Sequence, residues 1–172
     1  MTNSIALWPT TLVLAIACFT DIRSRRIPNV VVVPFALAGL VADCLTHGWA
    51  GLGNGLEGIL LAALVCGVFC YLRGMGMGDL KLCASIGAWI GPHQMLFALV
   101  VTFIAGAIIG LIWASCTGSL SRSLESTGDL LSGFAKDGVR PHDTIVLEKS
   151  PGLKIPYAPA IAIGTLFSFL AF

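Results

Sequence analysis

Residues 58–81 read GILLAALVCGVFCYLRGMGMGDLK. The run from Gly58 to Leu72 is apolar and uncharged, Arg73 closes it, and a glycine-rich turn then leads into Asp79, Leu80 and Lys81 at the head of another apolar run. Two apolar runs joined by so short a polar interval suit a bilayer, and the composition agrees. Hydrophobic residues make up 56% of the chain and charged residues 11%, and the mean hydropathy is +0.91, outside the range of soluble globular domains. A helix needs about 20 mostly apolar residues to cross the hydrocarbon. The 172 residues therefore allow roughly five to seven crossings with short loops. One all-α, polytopic membrane domain over residues 1–172 is expected, with no soluble domain of any size.

Working outward, apolar stretches run from Ile5 to Thr20, Val30 to Thr46, Gly58 to Leu72, Leu80 to Ile90, Met95 to Cys116 and Ile155 to Phe172. That predicts about six transmembrane helices. All 10 Lys and Arg fall in alternate intervals between them: Arg23, Arg25 and Arg26; Arg73 and Lys81; then Arg122, Lys136, Arg140, Lys149 and Lys154. The positive-inside rule places those three loops in the cytoplasm and both termini outside. A net charge of +1, with no dense basic cluster, argues against a nucleic-acid partner. Membrane lipid is the expected surrounding.

The fourth segment, Leu80 to Ile90, is too short to span at about 1.5 Å per residue, and Gly91-Pro92 ends it abruptly. A short helix behind a glycine-rich turn suggests irregular backbone lining a protein-enclosed, water-accessible cavity; a tilted ordinary helix is the alternative. The first segment lacks the basic leader of a secretory signal and is expected to be retained. In the long stretch 117–154, Leu120, Leu124, Leu131 and Phe134 recur at helix-like spacing. It reads equally as a cytoplasmic interfacial helix or an ordinary cytoplasmic loop.

Cys18, Cys44, Cys66, Cys70, Cys83 and Cys116 form no C-x-x-C pair and read as small apolar residues. His47, His93 and His142 fall in different loops on two sides of the membrane. No metal and no cofactor is expected.

The carboxylates carry the chemistry. Asp21 and Asp79 stand at ends of apolar segments, where an acid is cheap, so each alone has a plain explanation as a solvated end residue or a helix N-cap. Both, however, fall on the cytoplasmic side at similar depth, where helices one and four would bring them into one cleft. Gly76 and Gly78, ahead of Asp79, would let an extended substrate approach closely. Two adjacent carboxylates do not both ionise easily: one keeps a proton while the other acts as a base. Such a pair can activate water and stabilise an oxyanion, which is what peptide-bond hydrolysis requires.

At these positions the sequence resembles a known family. Asp21-Ile22-Arg23-Ser24-Arg25-Arg26-Ile27-Pro28-Asn29, followed by Gly76-Met77-Gly78-Asp79-Leu80-Lys81-Leu82, is similar to the paired signature of the type IV prepilin peptidases. These are GxGD-type aspartyl proteases, akin to presenilin and signal peptide peptidase. The resemblance implies that Asp21 and Asp79 are the catalytic pair, acting without metal at the cytoplasmic face of the bacterial inner membrane. It implies a substrate with a basic leader and a hydrophobic helix, a prepilin or pseudopilin. Ile155-Pro156-Tyr157-Ala158-Pro159 also resembles the family's C-terminal pattern.

Gly76 and Gly78 are assigned to loop geometry, and Pro28 and Asn29 to the turn into the second helix. Arg23, Arg25, Arg26 and Lys81 are assigned to topology or to tuning the two acids. Longer members of the family carry a cytoplasmic insert with paired C-x-x-C motifs, associated with N-methylation. This chain has neither, so a peptidase without methyltransferase activity is expected, resembling the short forms of tight-adherence, Flp-type pilus systems. A non-catalytic assembly subunit, which would tolerate loss of both aspartates, and a small transporter, which could use acids at the membrane edge but should carry one deeper in a helix, are the competing classes.

Overall fold

A computed structural model describes residues 2–24, 27–72, 75–116 and 157–172. The described residues form four helices: α1 (Thr2–Ser24), α2 (Asn29–Tyr71), α3 (Met77–Cys116) and α4 (Ala158–Ala171). Ala6–Ser24, Asn29–Tyr71 and Met77–Ile112 are long and apolar enough to cross a membrane, and α4 is shorter and apolar. The protein is an all-α, multi-pass membrane protein, as its composition predicts. Arg25, Arg26 and the stretch 117–154 lie outside the described residues.

Two glycines bend the long helices. Gly48 (φ 64°) interrupts α2 and Gly91 (φ 70°) interrupts α3, in the left-handed region that glycine enters without a Cβ penalty. Across the first bend the arms of α2 fold back on each other, since a Cβ on Gly51 would strike the Asp43 carbonyl and one on Gly55 would stand 2.9 Å from Leu40 Cδ2. The short fourth segment is thus the first arm of α3, starting at Met77 and turning at Gly91, where Pro92 has no N–H to lose from the ladder.

Small residues decide how the arms pack. Gly51, Gly55, Gly58, Ala62 and Cys66 are buried on one stripe of α2, at the i, i+4, i+7 spacing that lines one helix face. Opposite lies Gly87, and at the crossing a Cβ on either Gly58 or Gly87 would strike the other's carbonyl oxygen. Backbone contact of this kind is how membrane helices gain packing when lipid is as apolar as any side chain. Trp89 spans the same interface, stacked on Phe35 at 5.3 Å and donating Nε1–H to the Phe35 carbonyl at 2.9 Å.

The first arm of α3 is the innermost element. Leu82, Cys83, Ser85, Ile86 and Ala88 are buried all round it, so it is wrapped in protein rather than lipid. On α1 the buried positions are Ala6, Thr10, Val13, Leu14, Ala17 and Asp21, again one helical stripe. Asp21 therefore continues the packed face of its helix and is not a solvated end.

Candidate active site

Asp21 occupies the last turn of α1 and is 8% exposed. Burying a carboxylate is costly unless donors satisfy it, and here its Oδ2 accepts the backbone N–H of Ala158, the first residue of α4, at 3.1 Å. Asp79 lies in the first turn of α3, where the helix dipole favours an acid. It is half-buried and turned back towards Gly76: a Cβ on Gly76 would stand 3.1 Å from its Oδ2. The two aspartates thus stand at the same end of the bundle, one closing α1 and the other opening α3.

Two contacts join these helix ends. A Cβ on Gly78 would stand 3.5 Å from Ile27 Cβ, so the turn between α1 and α2 lies against the start of α3. Lys81 Nζ donates to Asn29 Oδ1 at 3.1 Å. The ammonium that the sequence sets two residues from Asp79 thereby reaches the head of α2. Pro28 precedes α2 with extended backbone (φ −71°, ψ 129°), which starts the helix at Asn29. Arg23 is exposed.

The glycines of the signature are used for space. Met77 already begins the helix, and neither Gly76 nor Gly78 has a positive φ. What they provide is closeness, to the Asp79 carboxylate and to Ile27.

Tyr157 and Ala158 are site residues that sequence reasoning left without a role. Tyr157 precedes the amide that bonds Asp21, and its hydroxyl and ring fill the place a Cβ on Gly106 would take. The signal was present in the C-terminal Tyr157-Ala158-Pro159, but a backbone donor leaves no side-chain mark. Cys66 and Cys83 are buried, Cys18, Cys44 and Cys70 partly so, and Cys116 exposed. Among the described residues no three His, Cys, Asp or Glu gather as metal ligands.

Residues 8–111 match the type IV leader peptidase family. The chain belongs to that family. Its curated relatives include proteins named prepilin leader peptidase/N-methyltransferase. The one from Aeromonas salmonicida is 31% identical over 108 residues, covering 59% of this chain and 37% of the relative. The one from Bacillus subtilis is 28% identical over 160 residues, covering 91% of this chain and 52% of the relative. The one from Pseudomonas aeruginosa is 32% identical over 99 residues, covering 54% and 34%. The chain spans between a third and about half of the length of these three relatives. No solved structure matches it. The family match takes in both aspartates and stops before α4.

Proposed function

We propose that this family member is a prepilin leader peptidase, an aspartyl endopeptidase that removes the basic leader from prepilins or pseudopilins. The observation that carries the proposal is that Asp21, buried in the last turn of α1, and Asp79, half-buried in the first turn of α3, lie at one end of the helical bundle, where the turn after α1 packs against Gly78 and Lys81 bonds Asn29. In this reading one aspartate takes a proton from water as its oxygen attacks the peptide carbonyl. The other, protonated, hydrogen-bonds the developing oxyanion. Collapse of the tetrahedral intermediate breaks the C–N bond, and the departing amine takes up the proton that the first aspartate took from water.

The whole chain acts as one membrane-embedded domain in this reading. Its six helical arms cross the bacterial inner membrane with both termini outside and the dyad facing the cytoplasm. The alternation of Lys and Arg supports that topology, with Arg23, Arg25 and Arg26 fixing the first cytoplasmic loop and 117–154 forming the third. Gly76 and Gly78 give the substrate room. Lys81, bonded to Asn29, anchors the heads of α2 and α3 together. N-methyl transfer is assigned to none of this chain's residues, because the sequence contains no C-x-x-C pair.

The test is processing of candidate prepilins in membranes by the parent, Asp21→Asn and Asp79→Asn at matched abundance. Cleavage by the parent and by neither variant is expected. A variant that cleaves as fast as the parent overturns the dyad. A parent inert on every pilin tried points to an assembly subunit.

A further inference from the structure

The first turn of α4 leaves one backbone donor to spare, and the structure spends it on Asp21. Amides at the start of a helix have no partner within the helix and must find one elsewhere. Here Ala160 and Ile161 donate to the Tyr157 carbonyl at 3.0 and 3.2 Å, and Pro159 has no N–H. Of the amides from Ala158 to Ile161, that leaves Ala158, which bonds Asp21 Oδ2. Among the described residues no other donor is bonded to this carboxylate.

The height of that amide is set by two glycine contacts with α3. Tyr157 is seated on Gly106, and a Cβ on Gly164 would strike Thr102 Oγ1 and stand 2.5 Å from the Ala98 carbonyl oxygen. Thr102, Gly164 and Ala98 are buried, so α4 has little freedom to slide along the second arm of α3. A bond to a buried carboxylate from so fixed a donor holds one oxygen in place and leaves the other for the reaction.

We propose that the start of α4 is a third component of the active site: the Ala158 N–H orients Asp21, and Tyr157, seated on Gly106, is a positioning residue that sets the place of that amide. Its kinetic consequence rests on the peptidase reading above; the backbone bond does not. Misplacing a reacting group by about 1 Å costs on the order of 100-fold in rate. Lengthening the side chain at 106 therefore lowers kcat while leaving substrate binding nearly unchanged.

Two measurements test it. The first is hydrogen exchange at the Ala158 amide of the full chain in nanodiscs, followed by NMR. Protection is expected in the parent and in Asp79→Ala, and exchange about tenfold faster or more in Asp21→Ala, as loss of the amide's one acceptor requires. An amide indifferent to Asp21→Ala overturns the proposal. This measurement stands even if no pilin is cleaved, an outcome that would count against the peptidase reading alone.

The second is cleavage kinetics. Gly106→Ala and Gly106→Leu are expected to lower kcat progressively, by about tenfold or more for leucine, with KM within about twofold. Tyr157→Ala does the same by removing the anchor. Tyr157→Phe in the Gly106→Ala background removes the hydroxyl nearest the new methyl and restores part of the rate. Gly53→Ala, where nothing lies within 4 Å of the added Cβ, is the control that leaves kinetics unchanged. Parent-like kcat in Gly106→Leu and Tyr157→Ala overturns the proposal.

Discussion

Replacing Gly58 by alanine puts one methyl group between two backbones. The new Cβ would strike the Gly87 carbonyl oxygen, stand 2.8 Å from the Gly87 carbonyl carbon and 3.1 Å from that of Gly91. None of these atoms is the movable end of a side chain, so the arms must part by about 1 Å to reach ordinary contact. Around the crossing lie Ala62, Cys66, Leu82, Cys83 and Ile86, each 0% exposed. A gap of about 1 Å forfeits up to roughly half of each contact's attraction.

The cost is placed at about 3 kcal/mol, the upper end of what overpacking takes, or roughly 100-fold in the folding equilibrium. The assay is SDS titration of purified protein in mixed micelles, where the denatured state keeps much of its helix and the change reports packing between helices. Gly53→Ala, on the same arm with open space around it, is expected to stay within about 0.5 kcal/mol of the parent. If Gly58→Ala matches Gly53→Ala, the backbone contact between α2 and α3 is refuted.

Trp89→Phe keeps a ring against Phe35 but deletes the bond to its carbonyl, and a loss of about 1 kcal/mol is expected in the same titration. No loss would mean that the bond contributes nothing. Within the signature, Gly76→Ala crowds Asp79 Oδ2 at 3.1 Å whereas Gly78→Ala meets Ile27 at an ordinary 3.5 Å. Cleavage is therefore expected to fall about tenfold in the first and less in the second; equal effects would refute the distinction.

The apolar runs and the paired aspartates were legible because both are local. Hydrophobic length announces a bilayer, and an acid at the end of an uncharged run stands out. The bends were half legible: Gly91-Pro92 marks a break, whereas Gly48 is one glycine among several and only its positive φ distinguishes it. Asp21 looked like a cheap solvated end because position along a helix says nothing of which face it shares. Its place on the stripe with Thr10, Leu14 and Ala17 appears only once α1 has neighbours. Lys81 suggested a partner for Asp79, two residues away, but residues at i and i+2 point to different sides of a helix. Its bond is to Asn29, at the head of another helix. The seat of Tyr157 on Gly106 depends on two positions far apart in the chain, and neither residue by itself signals the other.

The Gly58–Gly87 crossing and the seat of α4 also give the two aspartates different supports. With backbone against backbone, α2 and the first arm of α3 behave as one stiff body, and Asp79 rides on it eight residues before Gly87, about 12 Å along the helix. By contrast α1 packs sparsely on both and leans mainly on α4. Asp79 is thus carried by the crossing and Asp21 by α4, so the spacing of the two carboxylates follows how α4 is seated on the second arm of α3.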